Sequence, residues 1–198
     1  GRLTAPATPP MKAWQLPEEQ WMRYYKPDVE KARKLMADAG HAAGFTVKLG
    51  VIPTFPTMVS GAPVIAAQLK RIGINAEIEN VEYAIWIKRW QAKDFDLTMN
   101  TTPGYADPDT AFFRALHSTK GQNWNSWSVP ELDAMLEDGR RTMDFRRRKE
   151  IYDRVQIMIL EHVPHLWLFS AETIDFTQAA VKGFRQHPTT LLYGFEGL

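Results

Sequence analysis

From Asp28 onward apolar residues recur at helical spacing: Val29, Ala32, Leu35, Met36 and Ala39 share one face. Asp28 is placed to cap that helix and Gly40 to end it. The stretch "FTVKLGVI" (45–52) then alternates as a strand does. The next helix carries Ile65, Leu69 and Ile72 on one face and ends at Gly73, with Pro63 tolerated if it lies in the first turn. "INAEIENV" (74–81) alternates again, with Ile74, Ala76 and Ile78 on one side. Tyr83, Trp86, Ile87 and Trp90 form a helical stripe that predicts core packing. "FDLTMN" (95–100) predicts a third strand with Phe95, Leu97 and Met99 on one face. Strand, helix, strand, helix, strand predicts a parallel α/β layer with right-handed crossovers.

The flanks have a different character. Residues 1–27 combine "APATPP" with Trp14, Trp21, Tyr24 and Tyr25, which predicts an extended segment lying across a surface. The second half predicts mainly helix. Ser128-Val129-Pro130-Glu131 has the capping-box form and leads into the stripe Leu132, Met135, Leu136. Asp144 is placed to cap a long helix buried through Ile151, Val155, Met158 and Ile159 and ended by Pro164. "HLWLFS" and "TIDFT" predict two short returning strands.

Composition narrows the function classes. Among 198 residues, 24 Lys and Arg face 23 Asp and Glu, a net charge of +1 that gives no electrostatic footprint for nucleic acid. No apolar run is long enough to span a membrane, and the first residues carry no secretory leader pattern. Cysteine is absent, which removes disulfides, thiolate nucleophiles and cysteine zinc sites. No G-x-S-x-G, P-loop or H-E-x-x-H motif occurs, so no enzyme is expected. A hydrolase acting through Asp107 or Asp109 is the enzymatic alternative. That pair reads better as the start of the helix "TAFFRAL" than as a metal site, since a hard cation needs several more oxygens. His162 and His165 flank a proline and lack a third zinc ligand. "RRRK" (146–149) reads as a solvated helical face. No metal and no cofactor are expected.

The parallel layer itself points to a binding site, because ligands of open α/β sheets lie beyond the carboxyl ends of the strands. "PTFPT" (53–57) and "TTPGY" (101–105) follow the first and third strands. Thr54, Phe55, Thr101, Thr102 and Tyr105 are therefore expected to converge on one rim. In "GQNWNSW" (121–127), Trp124 and Trp127 stand beside Gln122, Asn123 and Asn125; rings and amides together suit a polar organic solute. One of the two rings, Trp127, is expected to plug the core beneath the loop.

Several segments in order resemble one family. "DVEKARKLMADAG", "IAAQLKRIGINAEIENVE", "KDFDLTMN", "ADPDTAFF", the run from "NWNSWSVPELD" to "EHVPHLWL", and "VKGF" are similar to the family 5 solute-binding proteins of bacterial ABC importers. The resemblance implies a periplasmic-binding-protein-like C-terminal lobe over 1–198: a βαβαβ sheet flanked by helices, then a mainly helical half. Residues 1–27 and 186–198 would be the crossings to a second lobe. It further implies a monomer with a signal peptide in its precursor, located in the periplasm or outside the cell. There the protein would close on a small-molecule solute and deliver it to a membrane permease, without nucleic acid. Ligand contacts would come from Thr101, Thr102, Tyr105, Asn123, Trp124 and Trp127, with Thr54 and Phe55. In peptide-binding members an aspartate pairs with the peptide ammonium; Gly104 stands at that position, and Thr101 where a stacking Trp is common. A peptide, an opine and an oligosaccharide all remain open as solutes. The alternative with the same fold is the sensor domain of a transcription regulator.

Overall fold

A computed structural model describes residues 2–123, 125–172, 174, 176–178, 180–182 and 184. They gather into two compact units: Gly1–Tyr25 with Pro103–Leu198, and Lys26–Thr102.

The chain starts in the first unit. A 3-10 segment, Pro9–Trp14, leads to α1 (Glu18–Met22) and a 3-10 turn, Arg23–Tyr25. This stretch is coiled, not extended as its prolines suggested. Pro9 and Pro10 sit at the first helical positions, where their fixed φ fits a helical turn and their missing N–H costs nothing. Trp14 and Trp21 pin the coil by burial.

The second unit follows as α2 (Val29–Asp38), β1 (Phe45–Val51), α3 (Pro56–Lys70), β2 (Ile74–Asn80), α4 (Tyr83–Ala92) and β3 (Leu97–Thr98). The α/β reading holds. Asp28 caps α2 by accepting the Lys31 N–H at 2.9 Å, and Gly40 follows the helix with φ +83°. The stripe on α2 is not buried, however, and Leu35 is 58% exposed. Helix α3 begins seven residues before Pro63, with Pro56 in its first turn, so Pro63 lies in the helix interior. The third strand is two residues long rather than six, because only Leu49↔Leu97 and Gly50↔Thr98 register with β1.

The sheet is parallel with order β2-β1-β3. Register pairs Phe45, Val47 and Leu49 with Ile74, Ala76 and Ile78, so the apolar positions share one face. The other face carries Thr46, Lys48 and Gly50 beside Asn75, Glu77 and Glu79. The core of this unit joins Leu49, Val51 and Ile52 to Met58 and Ala62 of α3 and to Trp86 of α4.

Back in the first unit, a π-helical turn (Asp109–Phe113) runs into α5 (Arg114–Leu116), then α6 (Pro130–Arg141) and α7 (Phe145–His162). Asp144 caps α7 by accepting the Arg147 N–H at 2.8 Å. Ser128 does not cap α6; Pro130 takes the first helical position, so Val129 is the cap residue and the serine hydroxyl is left outside. Of "RRRK", Arg146 and Arg147 are solvated, while Arg148 and Lys149 are half-buried and ion-paired. Leu132, Leu136, Tyr152, Val155 and Ile159 are fully buried between α6 and α7. Buried Gln156 ties the N-terminal coil to this core: the Ala7 N–H donates to its Oε1 (3.2 Å) and its Nε2 donates to the Trp14 carbonyl (2.8 Å). Beyond Pro164, "HLWLFS" forms no strand. Ser170 exchanges two backbone bonds with Arg2, at 3.0 and 2.8 Å, and the alternation has no longer ladder to join. "TIDFT" falls partly, and 186–198 wholly, outside the described residues.

Helix α6 presses on Tyr152 at Gly139, where an added Cβ would meet the phenol ring at 2.8–3.0 Å. Tyr152 is fully buried and has no room to retreat. Gly139→Ala is expected to destabilise the chain by about 1–3 kcal/mol despite alanine's better helix propensity. Thermal or urea unfolding followed by circular dichroism checks it; an unchanged or higher midpoint contradicts the packing described.

Candidate functional site

In the second unit, strands β1 and β3 lie side by side and point the same way, and the Met99 N–H donates to the Gly50 carbonyl at 3.0 Å. Their carboxyl ends therefore share one edge of the sheet. The connection from β1 crosses to β2 on one side of it while β3 lies on the other. The strand order thus reverses at β1, which is where α/β sheets open a crevice. Thr54, Thr101 and Thr102 stand exposed on the loops at this edge. Phe55 is half-buried, begins α3 by offering its carbonyl to Met58 and Val59, and lies 6.4 Å from the Tyr83 ring. The helical stripe of α4 predicts a core position for Tyr83. It is 51% exposed, because the first turn of α4 starts at the carboxyl end of β2 and overhangs the sheet. The signal that would have found it is position, directly after a strand, rather than periodicity.

The remaining sequence-predicted contacts belong to the first unit. Tyr105 is half-buried against its core. The loop 121–127 is built on α5. The Gln122 N–H donates to the Arg114 carbonyl (2.7 Å), and Gly121 passes so close that a Cβ would lie 2.5 Å from the Phe113 carbonyl oxygen. Only glycine fits there. Buried His117 shapes the entry: its Nδ1 accepts the Thr119 and Lys120 N–H groups at 3.3 and 3.1 Å. That leaves its proton on Nε2, 3.5 Å from Glu137 Oε1. Asn123 is buried, with φ +29°, and donates its Nδ2 to the Trp127 carbonyl at 2.7 Å, a bond inside the loop. Asn125 donates to the Pro164 carbonyl at 2.9 Å and so ties the loop to the end of α7. Trp127 packs on the core, 5.6 Å from the His162 ring, as a plug beneath the loop. Trp124 lies outside the described residues.

Asp107 and Asp109 take up the helix-start role. The Asp109 N–H donates to Asp107 Oδ1 at 2.9 Å. Arg148 clamps the same carboxylate at 2.8 and 3.0 Å, with its guanidinium over the Trp14 and Tyr152 rings. Burial pushes the Asp107 carboxyl up, but Arg148 and the Asp109 N–H more than offset it and hold it below the usual range. Asp109 moves the other way, raised by burial although Arg140 lies 3.2 Å from it. Burial and the charge of Asp109 push the Tyr152 phenol up to about 12. Among the described residues no group of three or more His, Cys, Asp or Glu converges as a metal site.

Because the Asp107 carboxyl is depressed in the fold, protonating it favours the unfolded chain. Its contribution is complete above the ordinary carboxylate value and is lost as pH falls through the folded one. Asp107→Asn is expected to cost about 1 kcal/mol at pH 7, a low figure because the pair is partly solvated, and much less at pH 3. Denaturant midpoints of both chains at the two pH values test this; an equal gap at both refutes it.

The sequence profile described as "Bacterial extracellular solute-binding proteins, family 5 Middle" matches residues 1–123. A dipeptide-binding protein of Escherichia coli (strain K12) is 28% identical over 174 residues, which covers 83% of this chain and 32% of that protein. The crystal structure of a dipeptide-binding protein from Pseudoalteromonas sp. SM9913 in complex with Met-Leu matches with TM-score 0.62 and 29% identity, over 69% of this chain and 29% of that one. The structure of AgaA from A. tumefaciens R10 in complex with agropinic acid matches with TM-score 0.62 and 25% identity, over 71% and 29%. The chain thus spans about a third of the length of the relatives it matches.

Proposed function

The chain belongs to the bacterial extracellular solute-binding proteins of family 5, and from that premise we propose that it is the C-terminal part of the binding component of an ABC importer. It contributes one side of a cleft for a small polar organic solute that is then passed to a membrane permease outside the cytoplasm. The observation that supports this reading is the carboxyl edge shared by β1 and β3, from which the segments bearing Thr54, Phe55, Thr101 and Thr102 leave at the reversal of strand order. Hydroxyls supply direction and the Phe55 ring supplies area, the mixture that small-solute sites use. The work is capture: a solute bridging two closing parts stabilises the closed form by the contacts it makes to both. No observation favours the regulator alternative.

The solute class follows from Gly104. Without a carboxylate there, a buried ammonium would lack the partner that peptide-binding members supply, and an unpaired buried charge is costly. The site therefore takes its solute by neutral hydrogen bonds and ring contacts rather than by an N-terminal ammonium.

Amide NMR of this chain, titrated with Met-Leu and with N-acetyl-Met-Leu, tests both points. Weak binding is expected, on the order of millimolar, with shifts at residues 53–57 and 100–105 and less than about a tenfold difference between the two probes. Shifts confined to other residues would refute the placement of the site. A response that vanishes on acetylation would refute the reading of Gly104.

A further inference from the structure

We propose that the second unit carries a separate site for a neutral polyhydroxylated small molecule, a sugar ring, in a cavity between α4 and the polar face of its sheet. The cavity follows from topology. With β1 central and crossovers right-handed, α3 and α4 must lie on opposite faces. Parallel sheets covered by helices normally present apolar side chains on both faces. Here α4 covers the face of Lys48, Gly50, Glu79 and Thr98, onto which an apolar helix cannot seal. The space left is about 440 Å³, within the range of small-ligand sites.

Its chemistry is that of a sugar subsite. One wall is aromatic: the Trp86 and Trp90 rings lie 4.7 Å apart at 42°, with Phe95 beside them. Trp86 is held rigidly, donating its Nε1–H to Thr98 Oγ1 at 2.6 Å. The floor at Gly50 has no side chain, so a flat ring can approach the backbone. Also lining the cavity is the Glu79–Arg89 pair, 2.9 Å apart. A carboxylate and a guanidinium side by side offer one acceptor and one donor at a spacing close to that of neighbouring ring hydroxyls. Three cationic lining residues (Lys48, Arg89, Lys93) balance three anionic ones (Glu79, Asp94, Asp96), so the cavity does not select for net charge. Aromatic area with balanced donors and acceptors describes the apolar face and hydroxyl rim of a sugar. None of the residues at the carboxyl edge (Thr54, Phe55, Thr101, Thr102) lines this cavity, and the proposal stands or falls apart from the solute reading above.

The test is ¹⁵N NMR of the tryptophan indoles during titration with methyl α-D-glucopyranoside, methyl α-D-mannopyranoside and methyl β-D-galactopyranoside, with Gly-Gly as a zwitterionic probe. At least one sugar is expected to shift the Trp86 and Trp90 indole signals, with a dissociation constant on the order of millimolar. An alanine Cβ at position 50 would sit 3.4 Å from Thr98 Oγ1, an ordinary contact, so Gly50→Ala keeps the fold while raising the cavity floor. That variant is expected to weaken binding about tenfold, and Trp90→Ala to abolish it. No shift with any of the three sugars at about 50 mM overturns the proposal. A stronger response to Gly-Gly overturns the ligand class, and unchanged affinity in Gly50→Ala overturns the location.

Discussion

A parallel connection crosses right-handed, and in the second unit that rule is applied twice to a sheet with β1 in the middle. The first crossing carries the chain from β1 out to β2; the second carries it back past β1 to β3. These two moves fix most of what the unit presents. They put α3 and α4 on opposite faces and bring the carboxyl ends of β1 and β3 to one edge. They also set α4 over the polar face, so that the Trp86–Thr98 bond and the Glu79–Arg89 pair join its apolar contacts in holding it. The shared strand-end edge and the cavity under α4 are two outcomes of the same winding.

The first unit depends on a different device, the partnered polar side chains of Arg148 and Gln156. Arg148 joins the start of the π-helical turn to α7 and stacks on Trp14, while its Nε donates to the Gly139 carbonyl at 2.9 Å. Gln156 satisfies backbone groups at Ala7 and Trp14 that would otherwise be stranded in the core. Both side chains project from one helix, so α7 orients the N-terminal coil and the DPD turn together. The geometry of the loop 121–127 rests on the same frame through Asn125 and Trp127.

Local chemistry was legible in the sequence where one residue answers to a neighbour. Asp28, Asp144 and Asp107 each bond an N–H two or three residues on, and each was readable as a helix start. The alternation of β1 and β2 and the buried stripe of α6 were legible for the same reason, since period alone sets the face. What escaped depends on partners distant in the chain. The stripe of α2 has a helical period, yet nothing in its sequence says whether another element covers it. Phe95, Leu97 and Met99 alternate as a strand does, but the Lys48 N–H is taken by the Asp96 carboxylate rather than by the backbone of that segment. At Ser128 two local rules competed, and proline at the first helical position defeated the capping box. Of the candidate site, the strand-end threonines were found by topology; Tyr83 and His117 were missed because one looked like core and the other matched no motif.

Gln156 also sets an order of events in folding. Its partners lie 149 and 142 residues away, so the coil that ends at Tyr25 has no docking surface until α7 has formed. The intervening unit, Lys26–Thr102, closes on itself with far shorter loops and is free to form first. Trp14 and Trp21 stay uncovered until α7 forms, and exposed apolar surface of that kind is what makes a partly folded chain prone to associate.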